Sequence, residues 1–323
     1  MEFFRLSKPI ALMAKAKYFG ILSLTLVILS WGLILTKGFN YGIDFAGGSV
    51  IQVKYDKKAP LDKIRASLKK DAKLADATVT NFGSEEEIII KTKSSSKNVN
   101  KDLGDEVKEL LKDTGNLEIR RVGMVGPKVG AELREKGLKA TIFAILGILI
   151  YLTFRFEWRF AIASVIALVH DVSIAMGAIV LFNVTFDLDT LAAILTILGY
   201  SLNDTIIVFD RIRETLIKSK ATDIFAVIDD SVTKTLSRTT LTSLTTFFVV
   251  LVLFLFGGEI LKSLSFTLLV GVVVGTYSSI FVASPVLKWL GFSVKSYKDM
   301  LAERKRRELE KEKLREQFEQ GVV

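Results

Sequence analysis

Uncharged apolar stretches recur along the chain and are separated by segments rich in charge. About twenty consecutive apolar residues suffice for an α-helix to cross the hydrocarbon core of a bilayer. The stretch Ala140–Phe154 is short for this purpose, but the flanking Lys139 and Arg155 can extend toward the membrane surface and lengthen it. The pattern predicts six transmembrane helices, at Tyr18–Thr36, Ala140–Phe154, Phe160–Phe186, Thr190–Phe209, Thr239–Gly258 and Ser263–Leu287.

Residues 37–137, between the first and second predicted helices, show a different periodicity. Alternating apolar positions predict strands at Ser49–Tyr55, Ala77–Asn81, Glu87–Thr92 and Leu117–Val122, and helical spacing predicts helices at Pro60–Ala72 and Val99–Lys112. The order βαββαβ is that of a ferredoxin-like split βαβ unit. We expect an α+β domain with helices on one face of its sheet. The other face would be open for a partner, unless the domain is only a spacer.

The distribution of lysine and arginine predicts the orientation in the membrane. The connections Asn183–Asp189 and Gly258–Lys262 together contain a single lysine. Basic residues are concentrated instead in residues 1–17, at Arg155 and Arg159, in residues 211–236 and in residues 291–323. The positive-inside rule therefore places both termini in the cytoplasm. Long domains cross largely regardless of their charge, so the basic residues 37–137 are expected outside the cytoplasm.

The predicted fold class is therefore a membrane all-α bundle of six transmembrane helices plus one α+β ferredoxin-like (βαββαβ) periplasmic domain. The first apolar stretch is too long for the core of a signal peptide and is interpreted as an uncleaved anchor. The chain divides into a cytoplasmic tail (1–17), the first helix (18–36), the periplasmic domain (37–137), the other five helices (138–290) and a charged cytoplasmic tail (291–323).

Two cytoplasmic segments are expected to be helical. Within residues 211–236, the part from about Ala221 to Leu236 has its apolar residues largely on one side, which predicts an amphipathic helix along the membrane surface. In the tail, Asp299–Gln320 carries charges of both signs at helical spacing. Three lysines that precede it are expected to contact anionic membrane lipids: Lys288, Lys295 and Lys298.

Composition excludes several functional classes. The chain has no cysteine and one histidine, which excludes thiolate chemistry, iron–sulfur clusters and multi-histidine metal sites. No phosphate-binding glycine motif occurs, so nucleotide hydrolysis is not expected. The formal net charge is +9, but its placement follows membrane topology, and nucleic acid is not an expected partner. We expect no metal and no cofactor.

Ionisable residues lie inside two of the predicted transmembrane helices. His170 and Asp171 are near the middle of the third, and Asp204 is in the fourth, next to the neutral Asn203. Arg238 lies at the boundary of the fifth. An acidic residue at mid-helix costs about 2.5–3.5 kcal/mol on insertion scales, so it is a functional candidate by default. The alternative is a neutral side chain that only forms hydrogen bonds between helices. We expect Asn203, Asp204 and Arg238 to form a proton site, and Gly271 and Gly275 to form a small-residue packing face.

Several motifs resemble the SecF family, whose members pair with SecD in bacterial protein export. These are G-I-D-F-A-G-G at 42–48, R-F-E-W-R-F at 155–160, A-L-V-H-D-V at 167–172, L-G-Y-S-L-N-D-T-I-I-V-F-D-R-I-R-E at 198–214, S-R-T at 237–239 and T-S-L-T-T at 242–246. The resemblance covers about residues 15 to 290. It implies membership of the resistance-nodulation-division group of proton-driven machines, in which each half has six membrane spans and an outside domain after the first.

The resemblance also implies a function and site roles. The chain would act with SecD in the bacterial inner membrane and use the proton-motive force to help move polypeptides that emerge from the SecYEG channel. No bond would be broken, so it would not be an enzyme. Asp204 would be the carboxylate of the proton path and Arg238 its cationic partner, with Asp171 and His170 as further candidates. Asp44, Gly47 and Gly48 would form a structural motif at the junction of helix and domain.

Two alternatives belong to other functional classes. A half of a proton-driven small-molecule efflux transporter would share the six-helix plan, but the short outside domain leaves little room for a drug pocket. An intramembrane aspartyl protease would use Asp171 and Asp204 as a dyad. The second aspartate of such a dyad is expected in a glycine-rich context, and residues 201–204 read S-L-N-D instead.

Overall fold

The computed structural model describes residues 9–93 and 101–319. In chain order the elements are α1 (Ala16–Lys37), α2 (Ile43–Ala46), β1 (Gly48–Tyr55), α3 (Leu61–Leu68), β2 (Thr78–Phe82), β3 (Ser84–Thr92), α4 (Lys101–Leu110), β4 (Leu117–Val125), α5 (Pro127–Arg155), α6 (Trp158–Leu181), α7 (Leu188–Lys218), α8 (Ile224–Phe256), α9 (Gly258–Ser278), α10 (Ser284–Trp289) and α11 (Val294–Glu319). A 3₁₀ turn at Met13–Lys15 precedes α1, another at Lys112–Thr114 follows α4, and a π-helical turn at Ser279–Ala283 joins α9 to α10.

Six helical segments of the described chain are long and apolar enough to cross a membrane. They are Met13–Lys37, Pro127–Arg155, Trp158–Leu181, Leu188–Lys218, Ile224–Phe256 and Gly258–Trp289. The six predicted spans are thereby confirmed. α6 is the most buried helix and packs against α1, α5, α7 and α9, whereas α1 and α5 expose most of their apolar side chains. Outward-facing groups such as Phe143, Phe154 and Val249 form a surface suited to lipid.

Two helices extend beyond the sequence-based boundaries, and neither has a proline in its interior. α5 begins at Pro127, about ten residues inside the segment assigned to the outside domain, with the proline at its favoured first position. α8 runs continuously from Ile224 to Phe256 without glycine or proline. The predicted amphipathic helix is therefore the first part of α8 rather than a separate element. Its predicted apolar side is buried at Val227, Ile228 and Val232.

The sixth predicted span is interrupted by the π-helical turn Ser279–Ala283. Pro285 has no backbone N–H and its ring displaces the carbonyl four residues earlier, so a regular α-helix cannot continue through it. The Ser284 hydroxyl donates to the Ser279 carbonyl at 3.0 Å, which gives that carbonyl a partner inside the turn. Such bulges occur mostly as single turns inside α-helices.

The domain between α1 and α5 contains one antiparallel sheet in the strand order β2-β3-β1-β4. The four strands and two helices occur in the predicted βαββαβ order. Ile51 and Val53 of β1 and Ile88 and Ile90 of β3 point to one face and are fully buried with Val107 of α4. Beside this core, burial raises the pKa of the Tyr55 hydroxyl above its usual value, although a hydrogen bond with Thr114 opposes the effect.

The second face of the sheet is only partly open. At β2 and β3 it adjoins the ends of α6, α8 and α9, and a cavity of about 410 Å³ separates them. Thr78, Thr80 and Lys91 line the cavity on the sheet side, and Phe182 and Phe266 line it on the helix side. The expectation that this face would be entirely available to a partner is therefore wrong for β2 and β3.

The tail forms the helix α11, and its described side chains are mostly exposed. This agrees with the helix predicted for Asp299–Gln320, although Gln320 lies outside the described residues. Tyr297, near the start of α11, is buried against Phe292 and lies 3.5 Å from the Arg213 guanidinium of α7. Met300 and Leu301, one turn further along, still pack against the core of the bundle. The described side chains after them are mostly exposed.

Candidate intramembrane site

Asp204 lies on the inner face of α7, and only 2% of its surface is exposed. Its Oδ2 atom accepts a hydrogen bond from the Ser243 hydroxyl of α8 at 3.2 Å. The Ser243 oxygen in turn accepts from the Thr276 hydroxyl of α9 at 2.8 Å. A chain of hydroxyl groups thus connects this carboxyl to two neighbouring helices.

Arg238 does not form an ion pair with Asp204. In the part of the chain that the structure describes, no Arg238 nitrogen lies within 4.0 Å of a carboxylate oxygen. Arg238 precedes Ser243 on α8 by five residues, a rise of about 7.5 Å. It is therefore close enough to influence the Asp204 carboxyl through its charge but does not neutralise it by contact.

Asn203 is exposed on the outer surface of the bundle, although it is next to Asp204 in sequence. Successive residues on an α-helix are rotated by about 100°, which here turns Asn203 away from the face that carries Asp204. Asn203 is therefore not among the groups that surround the Asp204 carboxyl in this chain. The joint role of Asn203 and Asp204 in a proton site stays a prediction, and no contact within this chain brings the two side chains together.

Asp171 of α6 is completely buried, and each of its carboxyl oxygens has a polar partner. Its Oδ1 atom lies 2.8 Å from Nδ1 of His170, and its Oδ2 atom accepts from the Ser201 hydroxyl of α7 at 2.5 Å and the Ser278 hydroxyl of α9 at 2.8 Å. The His170 ring stacks on Tyr277 with centroids 6.2 Å apart. Its Nε2 atom has no partner among the described residues.

The two buried carboxyl groups share the same pair of helices. Ser201 contacts Asp171, and Asp204 is one turn further along α7. On α9, Thr276 belongs to the Asp204 chain of hydroxyls and Ser278 contacts Asp171. A relative movement of α7 and α9 would therefore change the hydrogen bonding of both carboxyl groups at once.

Gly271 and Gly275 lie where α9 contacts α7. A side chain at position 271 would overlap the Ile197 side chain, and a Cβ atom at position 275 would lie 2.9 Å from the Ser201 Cβ atom. These small residues let the two helix backbones approach closely. The close approach places Thr276 and Ser278 within reach of the α8 hydroxyl and the α6 carboxylate.

The segment that contains Asp44, Gly47 and Gly48 lies at the junction of α1, the sheet and α5. Gly47 has φ +80°, and a Cβ atom there would lie 2.9 Å from the Pro127 Cα atom. A Cβ atom on Gly48, which has φ +152°, would overlap the Thr92 carbonyl oxygen. The Asp44 carboxylate accepts from the Leu188 backbone N–H at the start of α7, at 3.3 Å. The motif therefore joins the domain to two membrane helices.

Comparison with protein-family models and curated proteins identifies relatives along the whole chain. Residues 106–293 match the family model described as protein export membrane protein SecD/SecF, C-terminal, and residues 32–59 match the SecD/SecF GG motif. The protein translocase subunit SecF of Helicobacter pylori J99 is 46% identical over 323 residues, which is 100% of both chains. That of Vibrio alginolyticus is 43% identical and covers 90% of this chain and 92% of its own.

The chain belongs to the SecF family. The resemblance seen in the motifs is confirmed, and the family consists of translocase subunits rather than enzymes. Six membrane-spanning helices and this family membership make the chain a multi-pass inner-membrane protein. The GG motif of the family model coincides with the glycine junction at Gly47 and Gly48.

Solved SecDF structures share the architecture. A crystal structure of SecDF, a translocon-associated membrane protein from Thermus thermophilus, superimposes with a TM-score of 0.76 at 33% identity and covers 90% of this chain. A crystal structure of SecDF in a super-membrane-facing form gives a TM-score of 0.67 at 32% identity and covers 96% of this chain. This chain corresponds to only 40% and 41% of those two chains.

Proposed function

We propose that the chain is the SecF half of a proton-driven export complex, in which it pairs with SecD and promotes movement of polypeptides that leave the SecYEG channel. The SecDF chains continue well beyond the matched part, which supports a SecD partner for the remainder. The observation that carries the proton-driven part is the burial of Asp204 where α7, α8 and α9 meet, hydrogen-bonded to Ser243 and not ion-paired.

The proposed mechanism follows from the two charge states of Asp204. A protonated carboxyl can stay buried among hydroxyl groups at modest cost. An ionised one requires more donors, closer approach of Arg238, or water. Each state therefore favours a different arrangement of α7, α8 and α9, and by linkage each arrangement favours one protonation state. A proton that crosses 100 mV releases about 2.3 kcal/mol, which can drive the exchange between arrangements.

In this proposal both termini are cytoplasmic and the sheet domain is periplasmic. The uneven distribution of basic residues supports this orientation. The antiparallel strand order β2-β3-β1-β4 and the βαββαβ element order support a ferredoxin-like class for the domain. The domain would then lie where a polypeptide emerges from the channel.

The decisive variant is Asp204→Asn, which keeps nearly the same shape but cannot titrate. We expect normal insertion and SecD co-purification, with export reduced to the level seen when an uncoupler is present. The measurement is translocation of a secretory precursor into inverted membrane vesicles, with and without an uncoupler. We expect Asp171→Asn to have a milder effect, since Asp171 is satisfied by three partners.

Glu214→Gln on the same helix is the matched control, because Glu214 is solvent-accessible and pairs with Arg211 and Lys218. It should leave uncoupler-sensitive export unchanged. Full uncoupler-sensitive export in Asp204→Asn vesicles would show that Asp204 is not the proton site.

A further inference from the structure

A groove runs along the outside of α1 at the end of the bundle where α8 begins and α10 ends. Its volume is about 580 Å³. Apolar and aromatic side chains form its walls, and Lys17 is the charged group in its lining: Met13, Ala14, Ala16, Lys17, Gly20, Ile21, Leu24, Phe225 and Trp289. Gly20 has no side chain, which leaves room for the Trp289 ring in the wall of the groove. A Cβ atom at this position would lie 3.1 Å from that ring.

The length of the groove fits one leaflet of a bilayer. From Ala14 to Leu24 the chain rises about 15 Å, which is half of the roughly 30 Å hydrocarbon core. Ile21 and Leu24 are 54% and 61% exposed and face outward from the bundle. The exposed aromatic groups Tyr18 and Trp289 lie near the groove's entrance, as aromatic side chains do at a membrane surface.

The charges at the entrance are predominantly basic and accessible. Lys15 and Lys17 are exposed, and neither forms an ion pair within residues 9–93 and 101–319. Lys288 lies 3.8 Å from the centroid of the Phe225 ring and 3.7 Å from the Asp223 carboxylate. Of the nearby acidic groups, Asp223 is thus offset by Lys288, and Asp229 is directed inward, where it accepts the Met13 backbone N–H at 2.8 Å.

We propose that this groove is a binding site for an anionic phospholipid, with one acyl chain along α1 and the phosphate near Lys17. The apolar walls match an acyl chain, and flexible lysine side chains at the entrance match a phosphate at headgroup level. An apolar helix of a protein partner would cover the walls of the groove but would leave the exposed lysines without counter-charges. The lipid would hold the start of α1 against α8 and α10.

The test uses the intrinsic fluorescence of Trp289. A full-length chain with Trp31→Phe and Trp158→Phe retains Trp289 as its one tryptophan. It is reconstituted into vesicles that contain acyl-brominated phosphatidylglycerol or acyl-brominated phosphatidylcholine at a series of matched fractions, and the fraction that gives half-maximal quenching is compared. One lysine near an anionic surface corresponds to about a fivefold preference, so the phosphatidylglycerol should quench at about fivefold lower fraction.

Lys17→Glu should abolish this preference, and Lys17→Gln should reduce it, while circular dichroism shows an unchanged helix content. Lys37→Glu is the matched control, because Lys37 is exposed at the opposite end of α1 and should leave the preference intact. Equal quenching by the two lipids in the parent chain would overturn the proposal. An equal loss in both glutamate variants would show only general charge attraction, and an absence of quenching by either lipid would show that acyl chains do not enter the groove. Either result would also overturn it.

Discussion

Serine hydroxyls, rather than lysine or arginine side chains, contact the buried carboxyl groups of Asp204 and Asp171, and His170 is a further partner of Asp171. Asp204 and Asp171 receive three serine hydroxyl bonds between them, from Ser243, Ser201 and Ser278. A hydroxyl can both donate and accept, so the same residues can serve a neutral or a charged carboxyl after a rotation about one bond. An ion pair would fix the charged state and would be expensive to break in a low-dielectric interior. Hydroxyl surroundings therefore suit a group that changes charge.

At the same scale, Arg238→Met tests whether the cation acts on Asp204 from a distance. We expect export to lose its uncoupler sensitivity, as in Asp204→Asn, because an ionised Asp204 would lose its nearest cationic support. The same vesicle assay measures the effect. Lys234→Met, one turn earlier on α8 and paired with Asp230 at 2.6 Å, is the matched control. If both variants export normally, Arg238 has no part in the proton step.

The contact between α7 and α9 depends on residues that have no side chain to rearrange. Gly271→Leu would place a branched side chain into the space filled by Ile197. Overpacking of this kind costs about 1–3 kcal/mol, so we expect a lower Tm of the purified chain in detergent and weaker export. Gly147→Leu on α5 is the control, because a Cβ atom there meets nothing within 4 Å. A Tm for Gly271→Leu equal to that of the control would show that α9 does not need this close approach.

The number and approximate position of the helices could be predicted because an uncharged apolar run of about twenty residues is typical of a membrane-spanning helix. The continuity of α8 could not be predicted, because its polar first half suggested a separate helix on the membrane surface. The local pattern of apolar residues does not reveal whether two neighbouring helices form one. The π-helical turn lies just before Pro285. This proline is visible in the sequence, but a proline inside a helix is equally compatible with an ordinary kink. Asp204 and Asp171 were predicted as functional candidates because an acidic side chain inside a membrane helix is energetically unfavourable. Their partners Ser201, Ser243 and Ser278 were not, since serine is common in membrane helices and carries no such signal.

Considered as a whole, the molecule has a membrane bundle, a sheet domain joined to it at the glycine motif, and a helical tail that has few contacts with either. Truncation after Tyr297 keeps the contact of Tyr297 with Arg213. It removes the bond from Lys298 to the Ser219 carbonyl and the packing of Met300 and Leu301 on the bundle core. We expect membrane insertion and SecD co-purification to be unchanged. Loss of SecD from pull-downs of the truncated chain would show that the tail belongs to the interface.

Because α8 is one continuous helix, a tilt at one position displaces both of its ends. With 33 residues it is about 50 Å long, and Ser243 lies about 29 Å from its Ile224 end and about 20 Å from its Phe256 end. A rigid rod that tilts by about 5° at Ser243 moves its longer arm by about 2.5 Å at the tip. Asp229, which holds the Met13 backbone N–H ahead of α1, lies on this longer arm, five residues from its tip. A rearrangement too small to break the helix at the carboxyl group is thus magnified at the far surface of the membrane.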